Sequence, residues 1–140
     1  MTTSIDSNIL VALWRNSHTS NRVAAESLGE AHRRGSLVIC APVYAELTAD
    51  PNRTMSELDE FASETGISID WELEEAIWRE AGMASRGYAQ RRIRSGGGAP
   101  RRILADFIIG AHALLRGYAL LTLNSADYVV AFPQLQVFSL

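Results

Sequence analysis

Four acidic residues of this chain stand where an α/β protein would bring them together. Asp6 ends a predicted strand, and Glu46 lies one helical turn beyond the next strand. Asp106 stands near the start of a helix, and Asp127 follows the fourth predicted strand by a few residues. Carboxylates held close together repel one another, and a cation or a proton must compensate them. The spacing therefore predicts one acidic site built from these four residues.

An acidic site with only oxygen ligands favours Mg²⁺ or Mn²⁺ over zinc. The histidines are too far apart in sequence to form a ligand set; they are His18, His32 and His112. Mg²⁺ bound by few carboxylates keeps several waters, one of which can become a nucleophile while the metal contacts phosphate oxygens. This chemistry hydrolyses phosphodiester bonds.

Four polar residues lie close to the acids in sequence, and two roles are possible for each. Asn8, Thr122 and Asn124 are predicted to orient a carboxylate or a water molecule beside the metal, with helix capping as the alternative. For the fourth residue, Ser7, helix capping is the favoured role.

Strands and helices alternate along the sequence, which predicts an α/β fold with a mainly parallel sheet of four to five strands. The strands are predicted at residues 2–6, 37–40, 66–69, 119–122 and 135–138. In such sheets ligands bind beyond the carboxyl ends of the strands, where the four acids are expected. One long helix, or two, is predicted over residues 71–94, with Trp78, Ala81 and Met83 packing inward.

The helix predicted over residues 101–117 is apolar on nearly every side, which is typical of a helix buried in the middle of a domain. Asp106 in its first turns has three interpretations. It belongs to the acidic site, it pairs with Arg101 or Arg102, or it is simply exposed at the helix start, where the helix dipole favours an acid.

The composition is that of one globular domain spanning residues 1–140, with 47% apolar and 21% charged residues. Cys40 is the only cysteine, so no disulfide is possible within the chain and a core position is predicted. The first residues do not resemble a signal peptide, and no apolar run is long enough to span a membrane. A cytoplasmic location without membrane attachment is expected.

Charge is unevenly distributed around a net value of −3. Residues 57–80 are acidic and are interpreted as a solvated helical face. Residues 86–102 contain arginines and no acid, and five of these arginines flank a glycine-rich loop at residues 95–100: Arg91, Arg92, Arg94, Arg101 and Arg102. Such arginines can hold phosphates at the mouth of an acidic pocket, or they can simply complement the dipole at a helix end.

Five motifs occur in the order and spacing of the PIN domain, and in particular of the VapC-type ribonuclease toxins. They are IDSNIL at residues 5–10, PVYAEL at 42–47, RRILADFIIGAHAL at 101–114, TLNSADY at 122–128 and FPQL at 132–135. Together they cover essentially the whole chain. The sequence is similar to this family in all five.

The resemblance implies a three-layer α/β/α fold and a Mg²⁺- or Mn²⁺-dependent endoribonuclease that a cognate antitoxin inhibits. By position, Asp6 and Asp106 would be the metal ligands, and Glu46 and Asp127 would complete the site directly or through water. The five arginines would contact RNA or the antitoxin. A homodimer or a toxin–antitoxin hetero-oligomer is expected.

Two other functions are compatible with parts of the pattern. A PIN-like module that binds RNA or a protein partner without useful catalysis would keep the fold, although the presence of all four acids argues against it. A receiver-like or phosphatase-like protein would normally require a lysine or threonine beside its reactive aspartate, and this chain contains no lysine.

Overall fold

The structure is a computed structural model that describes residues 1–15, 17–97 and 104–139. Within these ranges the chain forms five strands and seven helices. In chain order they are β1 (Thr2–Ile5), α1 (Ser7–Leu13), α2 (His18–Arg34), β2 (Ser36–Cys40), α3 (Ala41–Thr48), α4 (Met55–Thr65), β3 (Ile67–Asp70), α5 (Glu75–Arg94), α6 (Leu104–Arg116), β4 (Ala119–Leu121), α7 (Ser125–Ala131) and β5 (Val137–Phe138). None of the helices in the described ranges has the length and apolar character needed to cross a membrane.

All strand pairs are parallel, and the strand order is β3-β2-β1-β4-β5. Contacts link α1 to α2 and α3, and α3 to α4, in one group of helices, while α5 contacts α6 and α7 in a second group. Successive strands are added in one direction across the sheet from β1 to β3 and in the opposite direction from β3 to β5. Because parallel crossovers are right-handed, this change of direction places the two groups of helices on opposite faces of the sheet. The predicted three-layer α/β/α fold is confirmed.

The strand order reverses between β1 and β4, which are neighbours in the sheet although far apart in sequence. The crevice at the carboxyl ends of two such strands is the usual ligand site of open α/β sheets. Here Asp6 follows β1 and Thr122 follows β4 directly. The backbone N–H of Asp6 donates to the carbonyl of Leu121 at 3.0 Å, which joins the two strand ends.

Local sequence signals account for several helix ends. The Thr54 side chain accepts a hydrogen bond from the N–H of Glu57 at 3.1 Å and caps α4. Gly66 ends the same helix in the left-handed region, with φ at 72°, a conformation that glycine adopts without strain. Pro42 lies in the first turn of α3, where a missing N–H costs nothing.

The middle of α6 crosses the core, as the prediction of a buried helix requires, and all residues from Phe107 to Ala113 are buried. Both ends depart from the prediction, since Leu104 is 54% exposed and Leu115 is 45% exposed. Gly110 permits the close packing, because a Cβ there would lie 2.2 Å from the ring of Phe132. The buried position predicted for Cys40 is confirmed.

The inward face predicted for the long helix was wrong in part. Ala81 of α5 is fully buried, but Trp78 is 48% exposed and Met83 is 71% exposed. The buried stripe instead runs through Ile77 and Ala81 at a spacing of four residues, so Trp78 stands one position outside it. The Trp78 indole N–H donates to the carbonyl of Leu73 at 3.0 Å, which satisfies the exposed ring's donor.

A polar cluster that the sequence did not predict joins β3 and α5 to α6. The Asp70 carboxylate lies 2.7 Å from Nε2 of His112 and accepts from Nε of Arg116 at 3.1 Å. Arg116 also donates to Glu74 at 2.7 Å. Partial burial would raise the pKa of Asp70, but the hydrogen bonds from His112 and from the N–H of Glu72, with the charge of Arg116, outweigh it and lower the pKa. His112 is therefore a core histidine with a carboxylate partner.

Candidate active site

Asp6 is the buried centre of the site, only 3% exposed. Three side-chain groups donate to the same carboxylate oxygen, Oδ2: the hydroxyl of Thr122 at 2.8 Å, the hydroxyl of Tyr128 at 3.1 Å and the amide of Asn8 at 3.4 Å. Charge-assisted hydrogen bonds of this kind compensate the burial of a carboxylate. Because these donors converge on Oδ2, they fix the orientation of the group and leave Oδ1 for another ligand.

The donors to Asp6 are themselves held in place. The Asn8 amide also donates to the Thr122 hydroxyl at 3.3 Å, and its carbonyl oxygen accepts from the N–H of Leu123 at 3.2 Å. The backbone N–H of Asn124 donates to the same hydroxyl at 3.1 Å. Of the three orienting residues predicted, Asn8 and Thr122 thus contact Asp6, whereas Asn124 contributes through its backbone.

Glu46 projects from α3 towards the other acids. Burial, the first cause, raises the pKa of its carboxyl group, and the negative charges of Asp6 and Asp106 raise it further. A hydrogen bond with the Ser7 hydroxyl opposes the shift. Oε1 of Glu46 is buried and has no hydrogen-bond partner among the described residues. Ser7 therefore contacts a site acid instead of capping α1, whose cap residue is Asp6.

Cys40 ends β2 directly before α3 begins, and it is excluded as a nucleophile. Burial, the largest cause, raises the pKa of its thiol to about 12, with smaller contributions from the charges of Asp6 and Glu46. The reactive form of cysteine is the thiolate, which is not populated at neutral pH with such a pKa.

Asp106 and Asp127 line one narrow cleft together with Phe107 and Tyr128. Asp106 is half-buried at the start of α6, and Asp127 is exposed in the first turn of α7. Glu46 thus lies within electrostatic range of both Asp6 and Asp106, and the fourth acid, Asp127, lines a cleft with Asp106.

A larger cleft of about 280 Å³ adjoins this one and shares Phe107 and Asp127 with it. We name it the α5–α7 cleft. It is further lined by the residues Tyr88, Arg91, Arg92 and Ser95. The guanidinium of Arg92 donates to the carbonyl of Gly97 and so anchors the segment after α5.

The predicted arginines fall into three groups. Arg91 and Arg92 line the α5–α7 cleft, and Arg91 is the exposed one of the two. Arg94 is exposed at the end of α5 and does not line this cleft. Arg101 and Arg102, with the loop residues 98–100, lie outside the described residues.

The donors of the site fit a hard divalent cation. They are carboxylate oxygens, with Oδ1 of Asp6 left by its hydrogen-bond donors and Oε1 of Glu46 buried without a partner. Across the described ranges, no group of three or more histidine, cysteine, aspartate or glutamate side chains is arranged to hold a metal ion by itself. Mg²⁺ commonly uses one or two carboxylates and completes its shell with water, so an open set of this kind suits it.

A family model for the PIN domain matches residues 4–132. The chain belongs to the PIN domain family. The resemblance inferred from the five motifs is thereby confirmed. A search of curated protein sequences found no significant match.

Solved structures of similar fold include VapBC-1 from nontypeable Haemophilus influenzae, at a TM-score of 0.67 and 21% identity, covering 99% of this chain and 98% of that one. VapBC2 from Rickettsia felis, bound to a DNA fragment from their promoter, matches at 0.64 and 18% identity with coverage of 99% and 98%. A toxin–antitoxin complex from Klebsiella pneumoniae matches at 0.65 and 20% identity with coverage of 97% and 95%. At such identities the similarity establishes the fold of this PIN domain.

Proposed function

We propose that this PIN domain is a metal-dependent endoribonuclease and the toxin of a toxin–antitoxin pair. The observation that carries the proposal is the site at the ends of β1 and β4. There the buried carboxylate of Asp6 accepts three hydrogen bonds on one oxygen. The negative charges of Asp6 and Asp106 both raise the pKa of Glu46. A fold stabilised by burial gains nothing from gathering like charges, so their proximity points to a ligand that requires them.

Asp6 and Asp106 are the residues we assign to Mg²⁺ or Mn²⁺, with Glu46 and Asp127 acting directly or through water. When bound, the cation would lower the pKa of a coordinated water and polarise a phosphate. Thr122 and Tyr128 keep the Asp6 carboxylate oriented through Oδ2. We assign to Glu46 the role of accepting a proton from the attacking water, because its raised pKa makes it a better base than an ordinary glutamate.

Cleavage of total RNA by the purified protein tests this proposal, with Mg²⁺ and with EDTA. We expect discrete fragments with metal only, and their loss in Asp6→Asn and Asp106→Asn. Asp59→Asn is the matched control, because Asp59 is an exposed acid of α4 that accepts a hydrogen bond from Tyr44 and is not one of the four site acids. If the wild type is inert under both conditions yet binds RNA or a partner, the chain is a binding module and the nuclease proposal fails.

The partner we propose is an antitoxin protein. The three similar structures named above are complexes of the toxin–antitoxin class, which supports this assignment without identifying the partner. Co-expression of the chain with proteins encoded beside it should yield a stable complex that no longer cleaves RNA. Recovery of the chain alone from every such co-expression would contradict the antitoxin assignment.

A further inference from the structure

A second cleft lies between α1 and α3, on the other face of the sheet from the α5–α7 cleft, and it too holds arginines. This α1–α3 cleft, of about 170 Å³, is lined by Trp14, Arg15, Glu46, Asp50 and Arg53 among others. Each of the two clefts contains two arginines, at least one aromatic ring and one acid of the site, and the α1–α3 cleft has Asp50 as a second carboxylate.

The α1–α3 cleft is preorganised for a polyanion. The guanidinium carbon of Arg53 lies 3.7 Å from the centroid of the Trp14 ring, a cation–π contact that fixes the side chain. The Trp14 ring is in turn held edge-on by Phe61, with centroids 5.1 Å apart. The nearby Asp50 carboxylate is engaged in its own turn, where Oδ1 accepts from the N–H of Asn52 at 2.9 Å.

Three arginines of the two clefts are not held in ion pairs by other described residues, although carboxylates also line the clefts. Among the residues that the structure describes, Arg15, Arg53 and Arg91 form no ion pair. A carboxylate site by itself repels RNA, so binding energy must come from groups beside it. Arginines on both sides of Glu46 and Asp127 supply that energy in the right place.

We propose that RNA crosses the acidic site as an unpaired strand, with one flanking nucleotide in the α1–α3 cleft and another in the α5–α7 cleft. This inference rests on the nuclease function proposed above. Arg53 and Arg91 contact the flanking phosphates, and the rings of Trp14 and Tyr88 give the clefts apolar walls for bases. At about 280 and 170 Å³, both clefts are smaller than ordinary small-ligand pockets, so the proposal assigns no more than one nucleotide unit to each.

The proposal makes a quantitative prediction for salt dependence. For a single strand, the slope of log K against log salt falls by about 0.7 for each phosphate contact that is lost. Arg53→Ala and Arg91→Ala should each reduce the slope by about 0.7, and the double variant by about 1.4. Arg86→Ala is the matched control, since Arg86 is an exposed arginine of α5 that lines neither cleft.

The measurement is fluorescence anisotropy of a labelled oligouridine, in EDTA so that no cleavage occurs, at several salt concentrations. A duplex RNA of the same length is the comparison ligand, and poly-glutamate is the competing acidic peptide. Arg53→Lys keeps the charge but weakens the contact with Trp14, so its slope should match that of the wild type. Thermal unfolding of every variant verifies that the fold is intact.

Lower slopes for both single variants, an additive double variant and weaker duplex binding support the strand path. A slope change in only one variant, or equal affinity for duplex and single strand, overturns it. If the arginines matter for poly-glutamate but not for oligouridine, the clefts serve a protein partner and the proposal is wrong.

The two proposals fail in different ways. If the wild type cleaves RNA with Mg²⁺ but no arginine variant changes the slope, the nuclease function stands and the strand path is wrong. If oligouridine binding depends on both Arg53 and Arg91 but no RNA is cleaved, the path stands and the nuclease function fails.

Discussion

Glu46 is the side chain whose replacement tests the electrostatics of the site most directly. Burial raises its pKa first, the charges of Asp6 and Asp106 raise it further, and only the hydrogen bond with Ser7 acts against them. A carboxyl group whose pKa is raised on folding destabilises the folded state whenever it is ionised. We therefore expect Glu46→Gln to increase the free energy of unfolding at neutral pH.

The magnitude follows from the two repulsions. Like charges on the order of 8 Å apart repel by about 0.5 kcal/mol in bulk water and by about 2 kcal/mol at an effective dielectric constant of about 20. Because Glu46 is only half-buried, solvent screens both repulsions and the lower part of this range applies. Two pairs at about 0.5–1 kcal/mol each, set against a Ser7 hydrogen bond that Gln can also accept, predict a gain of about 1–2 kcal/mol. For a domain of this size, the melting temperature should rise by about 3–6 °C.

The pH dependence of this gain has a definite sign. The penalty for Glu46 is present in full above its raised folded-state pKa and is absent well below the ordinary value of 4.5, where the group is protonated in both states. The difference in melting temperature between variant and wild type should therefore be largest at about pH 7–8 and should close as the pH falls towards about 4.

Differential scanning calorimetry in EDTA measures the effect, with Glu64→Gln as the control. Glu64 is exposed on α4, so its replacement removes the same charge with an expected change below about 0.5 kcal/mol. Mg²⁺ at ten times its dissociation constant should stabilise the wild type by about 1.4 kcal/mol and narrow the gap to the variant. A Glu46→Gln protein that is no more stable than the wild type at neutral pH would refute the electrostatic reasoning.

Four further substitutions test the packing and the hydrogen bonds by urea unfolding. Gly110→Ala places a methyl group 2.2 Å from a buried aromatic ring and should cost at least about 1–3 kcal/mol, whereas Gly82→Ala, with open space around it in α5, should gain about 0.5–1 kcal/mol. Tyr128→Phe removes one of the three donors to the buried carboxylate after β1 and should cost about 0.5–1.5 kcal/mol. Asp70, with its pKa lowered beside His112, stabilises the fold above the ordinary value of 3.8 and ceases to do so as the pH falls through the lower folded-state value. Asp70→Asn should therefore cost about 1–3 kcal/mol at neutral pH, and its loss of stability towards acid should be shallower than that of the wild type.

The topology was predictable because local and global signals agree in this chain. Pro42, Thr54 and Gly66 mark helix ends chemically, and the apolar runs between helices are short enough to be strands. Parallel sheets bind ligands beyond the carboxyl ends of their strands. This rule predicted, from the sequence alone, that Asp6 would lie near the end of β4. The observed strand ends differ from the predicted ones by up to two residues. Hydrogen bonding to the neighbouring strand, and not residue propensity, decides which residue is the last of a strand.

The side-chain partners were not predictable, because they depend on contacts between distant segments. Tyr128 and Asp6 are separated by 122 positions, and His112 and Asp70 by 42. Two signals were nevertheless present. A histidine inside an apolar helix requires a partner if it is buried, and Asp70 stands directly after a strand, as Asp6 does. The same strand-end rule that found the active-site candidate would have found this pair.

Asp6 and Glu46 differ in a way that separates an active site from a structural carboxylate cluster. Asp6 has three donors on Oδ2, so Asp6→Asn should destabilise the protein by about 1–3 kcal/mol even as it abolishes activity. Glu46 has a buried oxygen without a partner and a raised pKa, so its replacement should stabilise the fold. Selection for stability alone would keep the first acid and remove the second. The cation that we propose would explain the presence of both in one crevice, since it would use the oriented oxygen of Asp6 and offset the charge of Glu46.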